Sequence, residues 1–296
     1  MKQNMRQKNM QAYLFLSPFL IFITVLYILP AILTVIMAFT SLDSAFIWKF
    51  NGINNFRKIL MDPNTPIIAW NTVKYVGITI FLTVVLDLFF AIMTTYFIRD
   101  ERKGNIFKSI LMIPMITPGV VYSVLWLWLL EATPNGLANK VYMALGGSEP
   151  LNWIAQYPFV IIIAATLLTS IAYGTTVFSS AVKSIPENQF RAARVDGAGE
   201  WEIVRNIILP NLRFHITFIA LWETLGLLTN YVTIMLITNG GPGVQTEVWA
   251  LSAYHKAFSD SQYGYGAAIS LVLIVVVMVL MLVTGAVMHH QEKSRS

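Results

Sequence analysis

The sequence predicts an all-α polytopic membrane protein, and three observations carry that prediction. Of its 296 residues, 56% are hydrophobic and only 12% are Asp, Glu, Lys or Arg, roughly half the charged share of a soluble domain. Stretches free of those four residues run from Asn9 to Leu42, Ser109 to Leu130, Pro150 to Val182, Thr224 to Thr246 and Ser261 to Gln291. Each exceeds the ~20 residues needed to cross ~30 Å of hydrocarbon. The basic residues, finally, gather in alternate loops.

Hydropathy places six helices near residues 12–40, 70–98, 106–131, 157–182, 212–238 and 265–289, the second and fifth interrupted by Asp87 and Glu223. Outside these spans or at their edges, Lys2, Arg6 and Lys8 precede the first helix, and Arg99, Arg102, Lys103 and Lys108 follow the second. Lys183, Arg191, Arg194, Arg205 and Arg213 follow the fourth helix, and Lys293 and Arg295 follow the sixth. The remaining loops hold only Lys49, Arg57, Lys58, Lys140 and Lys256, so the positive-inside bias puts both termini and the even-numbered loops in the cytoplasm. The expected organisation is a cytoplasmic N-terminus (1–11), a membrane domain (12–289) and a cytoplasmic tail (290–296). The first apolar run is too long for a signal-peptide core and is expected to remain as an anchor. Tyr13, Trp48, Trp70, Trp126, Trp128, Trp153 and Tyr157 fit an aromatic belt, and Lys74 is expected to snorkel to the outer headgroups. Pro18, Pro30, Pro114 and Pro118 predict kinks in the first and third helices.

Several chemistries are excluded at this level. The chain has no cysteine, which removes disulfides, thiolate metal sites and a cysteine nucleophile. Its net charge of +5 reads as membrane topology rather than nucleic-acid binding. His215 and His289–His290 are expected at interfaces rather than on a metal. No G-x-x-x-x-G-K-[ST], H-E-x-x-H or G-x-S-x-G motif occurs, so neither a nucleotide site nor a hydrolase centre is expected, and no cofactor is assigned to the chain.

The fourth loop, residues 183–211, reads as folded. Phe190, Ala193, Ala198, Trp201, Val204 and Ile208 recur at near-helical spacing, with charged residues on other faces. Pro186 presets the φ of a first short helix, Gly197 permits a left-handed turn, and Pro210 is expected to prevent simple continuation into the fifth span. Such a loop either lies on the membrane surface or docks into a cytoplasmic partner.

Ile185-Pro186, Ala192-Ala193, Asp196-Gly197-Ala198 and Ile208-Leu209-Pro210 resemble, in spacing and identity, the EAA loop of ABC importer permeases of the binding-protein-dependent, carbohydrate-uptake type. Arg191 stands where that family usually has the glutamate that names the motif. Tyr13-Leu14-Phe15-Leu16-Ser17-Pro18, Phe50-Asn51-Gly52-Ile53-Asn54-Asn55-Phe56, Thr238-Asn239-Gly240-Gly241-Pro242, Thr246-Glu247-Val248 and Tyr263-Gly264-Tyr265-Gly266-Ala267-Ala268 are similar to further family segments, in order along nearly the whole chain.

The resemblance implies a type I permease core with a cytoplasmic coupling helix, in the cell membrane of a prokaryote. It also implies a second homologous permease, two cytoplasmic ATPases holding ATP and Mg, and an extracytoplasmic solute-binding protein that delivers a carbohydrate. Phe190, Arg191, Ala192, Ala193, Arg194, Val195, Asp196, Gly197 and Ala198 would then form the ATPase-coupling element. Phe190, Ala193, Val195 and Ala198 would make apolar contacts, Arg191 and Arg194 polar ones, and Gly197 the turn.

Thr166, Thr169, Ser170 and Tyr173 share one face of the fourth helix, and Glu223, Gly226, Leu227 and Asn230 one face of the fifth. The hydroxyls either bond their own backbone and tighten helix packing or line a sugar path. The resemblance maps the family's substrate-contacting positions onto these eight residues. Glu223 is the most costly of them in hydrocarbon, and Asp87 is expected to hydrogen-bond between helices rather than touch substrate. An ion-coupled secondary transporter or channel is the alternative, with Asp87 and Glu223 its only coupling candidates. An intramembrane enzyme is a more distant one.

Overall fold

Where no water can satisfy the backbone, apolar segments must bond internally, and the computed structural model is accordingly helical. It describes the backbone of residues 2–98 and 100–293 and the side chains of 13–98 and 100–288. Lys2, Arg6, Lys8, Arg99, His289, His290, Lys293 and Arg295 lie outside the described side chains. Among the described residues there is no β-sheet, only an isolated bridge between Thr40 and Phe50.

The principal helices are α1 (Tyr13–Ala38), α2 (Thr65–Phe97), α3 (Glu101–Ile116), α4 (Gly119–Leu129), α5 (Pro158–Lys183), α6 (Glu187–Val195), α7 (Leu209–Thr229) and α8 (Tyr263–Lys293). Among the described residues α1, α2, α5 and the Tyr263–Met288 part of α8 are long and apolar enough to cross a membrane. The expected third span is two helices, α3 and α4, meeting at 95°. Proline disfavours helical ψ in its predecessor, and Thr117 before Pro118 is extended, with ψ 129°. α7 has the length, 21 residues, but Arg213, His215 and Glu223 leave it less apolar. Length and apolarity thus identify four spans, or five with the bent pair, against the six expected. The fifth expected span also breaks, because Asn230 caps α7 in an extended conformation before Val232–Ile237 resumes.

Pro210 behaves differently from expectation. It does not interrupt the helix that leads from the 183–211 loop into α7. A wide turn, Val204–Ile208, precedes it, with the Leu209 N–H donating to Val204 O. Pro30 in α1 is preceded in the same way by Thr24–Ile28. Proline deprives the carbonyl four residues earlier of its donor, and a local i→i+5 turn absorbs the misfit without ending the helix.

The chain divides into two compact units. One comprises residues up to Asp62 with Ser252–Ile274. Here Asn55 Nδ2 donates to Ala38 O (2.9 Å) and Thr40 O (2.8 Å), and the Gly264 N–H to Leu42 O (2.8 Å). A Cβ at Gly264 would overlap Thr40 O, so this glycine permits the close approach. Lys58 donates to Gln262 Oε1 (2.6 Å) and lies 4.3 Å over the Tyr265 ring.

The other unit, Pro63–Leu251 with the chain from Val275, is built on a seam between α2 and α5. One face of α2 presents Asn71, Tyr75, Thr79, Thr83, Asp87 and Ala91, every fourth residue, and all six are buried. Asp87, 0% exposed, accepts at Oδ1 from Thr175 N and Thr175 Oγ1 of α5, both at 2.9 Å. Its Oδ2 lies against Gly174, where a Cβ would overlap it. The interhelical role expected of Asp87 is therefore observed. Toward one end of α2, Asn71 Nδ2 donates to Val244 O (2.8 Å) and Glu247 O (3.2 Å), and Thr72 Oγ1 accepts from Trp249 N (2.8 Å). These bonds hold the 238–248 turn, in which Gly240 has φ 82° and Gly241-Pro242 is cis. Toward the other end, Ile92, Phe178, Val182, Phe190, Ile203, Val204, Ile208 and Leu212 form an apolar cluster. Between α4 and α5, buried Asn139 donates to Glu131 O, Thr133 O and Leu151 O and accepts from Leu151 N and Trp153 Nε1. Lys74 lies 4.4 Å over the Phe159 ring, held by a cation–π contact.

Gly174→Val is expected to push Asp87 off Thr175 and cost roughly 2–3 kcal/mol, the sum of overpacking and a lost buried bond. Asp87→Asn, which keeps an acceptor oxygen, should cost less than about 1 kcal/mol. Melting of the purified chain in detergent measures both, and an unchanged transition in Gly174→Val would mean the seam is not this close.

Candidate functional site

The 183–211 loop is a helix, a turn and a second helix. Pro186 caps α6 with φ −58°. At the other end the Ala198 N–H donates to Ala193 O (2.9 Å) and the Gly197 N–H to Arg194 O (3.2 Å), a Schellman-type stop that requires the φ of 84° found at Gly197. Nothing lies within 4 Å of a Cβ built there, so backbone conformation alone favours glycine. Glu202 Oε2 accepts from Gly199 N (2.9 Å) and starts the Glu200–Ile203 helix, which the wide turn joins to α7.

The nine residues predicted for coupling divide between two faces. Phe190 is only 6% exposed and packs in the apolar cluster, with Ala193 and Ala198 against it. These three apolar side chains therefore anchor the loop to its own chain. Val195 is 87% exposed and Trp201 73%. Arg191, Ala192, Arg194, Asp196 and Gly197 are exposed as well. The outward face is thus mixed apolar and basic, and Trp201 is its largest side chain. Arg191 faces Glu187 at 3.9 Å, so the cation in the unusual position has an acidic neighbour one turn away. That exposed pair contributes little to stability.

The eight pathway candidates are also drawn apart. Thr166 is buried, and its hydroxyl is 3.0 Å from Tyr75 Oη; Thr169 Oγ1 donates to Thr166 O (2.8 Å). Leu227 is buried. Ser170, Tyr173, Glu223 and Asn230 are half-buried, and Gly226 is exposed. Asn230 Nδ2 donates to Tyr75 Oη (3.4 Å), so Tyr75 on α2 joins the two predicted faces. Tyr173 lies 6.3 Å from the ring of Trp222, which in turn stacks at 6.5 Å with Phe218.

Sequence reasoning missed Tyr75 and Trp222. A fourfold spacing, Asn71 to Asp87, marked the polar face of α2, and Phe218 and Trp222 are one turn apart on α7. The signal was present in both cases, within segments apolar on every side.

These features define a helical membrane component whose folded 183–211 loop is anchored inward and presents a mixed face outward. The family "binding-protein-dependent transport system inner membrane component" matches residues 87–296, and the chain belongs to it. A probable ABC transporter permease protein of Pyrococcus horikoshii is 27% identical over 265 residues, 87% of this chain and 88% of that protein. The trehalose/maltose transport system permease protein of Thermococcus litoralis is 28% identical over 264 residues, 88% and 87% of the two chains. A chain of a bacterial ABC transporter involved in the import of the acidic polysaccharide alginate shares the fold, with a TM-score of 0.85 at 18% identity and 96% coverage of each chain.

Tyr75→Phe is expected to release both Thr166 and Asn230 and lower stability by about 1–2 kcal/mol. Asn230→Ala should show a smaller loss, because it breaks only the longer bond. Detergent melts of the two variants check the order, and equal stability of Tyr75→Phe and wild type would remove Tyr75 from the centre of the site.

Proposed function

We propose that this chain is the permease subunit of an ATP-driven importer and forms, with a second homologous permease, the membrane pathway for a sugar or oligosaccharide. The family match over residues 87–296 carries this reading. A binding protein outside the membrane delivers the sugar, and two cytoplasmic ATPases supply ATP, Mg and the driving force. The chain itself performs no chemistry. Both termini and the α6 loop lie in the cytoplasm, as the distribution of Lys and Arg argues.

In this mechanism the exposed face of the loop, with Arg191, Arg194, Val195 and Trp201, seats on an ATPase, while Phe190 transmits its displacement to the core. Closure of the ATPases moves the loop as a rigid body, and the helices attached to it switch the pathway between inward- and outward-facing states. The carbohydrate class follows from the named relatives and from side-chain chemistry. Tyr173, Trp222 and Phe218 form an aromatic series suited to the apolar faces of sugar rings, beside Glu223 and Asn230, which hydrogen-bond hydroxyls.

The deciding experiment purifies the chain with its co-expressed neighbours and measures ATP hydrolysis with binding protein loaded with maltose, trehalose or an alginate oligosaccharide. Several-fold stimulation by one loaded form is expected; a stable chain that recruits no ATPase would overturn the reading. Gly197→Val should strain the turn by about 1–2 kcal/mol and reduce ATPase recruitment with membrane insertion intact, whereas Gly197→Asn should retain most of it. Co-purification yields of ATPase per permease distinguish the two.

A further inference from the structure

The last turn of α2 holds a residue that neither the pathway nor the exposed face of the loop uses. We propose that Tyr96 is a positioning residue for transport, a latch that makes α2 follow the cytoplasmic loop when that loop is displaced; this rests on the permease reading above. Its ring lies 5.6 Å from that of Phe190 on the inner face of α6. Its hydroxyl donates to Glu200 Oε2 and accepts from Arg194 Nη2 at 3.4 Å. Arg194 is itself 4.0 Å from Glu200. One side chain therefore contacts the loop on both sides of the Gly197 turn.

The covalent neighbours of the loop are α5 and α7, and a rigid displacement acts on them directly. α2 is connected to the loop only through space. The apolar cluster around Phe190 holds α2 near the loop but has no directional preference, whereas the Tyr96 hydroxyl fixes the loop's rotation against the end of α2. A cleft of about 470 Å³ opens beside this contact, with Thr95, Lys183, Glu187 and Arg194 in its lining, so packing there is not continuous. The Lys183–Glu101 ion pair, 2.6 Å, joins α5 to the start of α3 and does not involve α2. The consequence reaches the pathway because α2 carries Tyr75, whose hydroxyl bridges Thr166 and Asn230, and Asp87, which is bonded to α5. Through Tyr96, displacement of the loop acts on three helices rather than two.

The test uses the complete transporter in proteoliposomes, with the sugar among maltose, trehalose and alginate oligosaccharide that stimulates ATP hydrolysis in the wild type. Tyr96→Phe keeps the ring on Phe190 and removes the hydroxyl; Glu200→Gln weakens the same bond from the other side. In each, sugar taken up per ATP hydrolysed is expected to fall roughly five- to tenfold, the size of a typical coupling free energy. Basal hydrolysis, yield of the complex and melting temperature should remain at wild-type values. The double variant should be no worse than the poorer single, because both changes remove one contact. Wild-type uptake per ATP in both singles, additive losses, or losses that merely follow the yield of complex would each overturn the latch. A wild type that no loaded binding protein stimulates would overturn the permease reading itself, a result visible before any variant is compared.

Discussion

The structure depends on one constraint, that polar groups held between helices in a membrane must find partners on the neighbouring helix. At the α2–α5 seam Asp87 Oδ1 and Tyr75 meet it, while Thr79 Oγ1, Thr83 Oγ1, Asp87 Oδ2 and Ser179 Oγ are buried without a hydrogen-bond partner among the described residues. Asp87 takes both the backbone N–H and the hydroxyl of Thr175, and Tyr75 takes Thr166. Between apolar surfaces that lipid would solvate equally well, such bonds and close packing are what select one helix pairing over another. Gly174 belongs to the same solution, since only a residue without a side chain lets α5 approach the carboxyl of Asp87.

From that seam the structure extends in two directions by different physics. Toward the 238–248 turn, single asparagine or threonine side chains clamp backbone segments that have no secondary-structure partner, as Asn71 and Thr72 do there and Asn139 does in the connection between α4 and α5. Several segments that carried the family resemblance, such as Phe50–Phe56 and Thr238–Pro242, include such clamps or the turns they hold. Toward the 183–211 loop the partner is an apolar cluster, into which the loop inserts Phe190. The loop is thereby a folded piece whose charged and exposed residues face outward.

The prolines show how local sequence rules bend to context. Pro118 separates α3 from α4, where its predecessor Thr117 takes the extended conformation that proline favours. Pro30 and Pro210 sit inside continuous helical paths, since a wide turn ahead of each takes up the missing bond. Pro18 and Pro114 lie within α1 and α3 without such a turn, so the same residue type breaks one span and is accommodated in others.

The sequence alone located the apolar segments and the loops that carry the cations, and it indicated that residues 183–211 fold and that Gly197 makes their turn. These are local properties: hydropathy over twenty residues, charge near a helix end, and a left-handed φ that glycine adopts without cost. It also marked Asp87 as an interhelical residue, because a carboxyl in an apolar span must be paired. Tertiary structure decided the rest. An apolar span looks alike on all sides to lipid and to another helix, so nothing in α2 alone said that Tyr75 would join Thr166 to Asn230. The amphipathic period of α6 likewise located an apolar face without saying whether it met a partner or the chain's own core. Phe190 turned inward and Val195 outward because the end of α2, with Tyr96 and Ile92, was already there to be covered, and that proximity arises only when helices far apart in sequence pack.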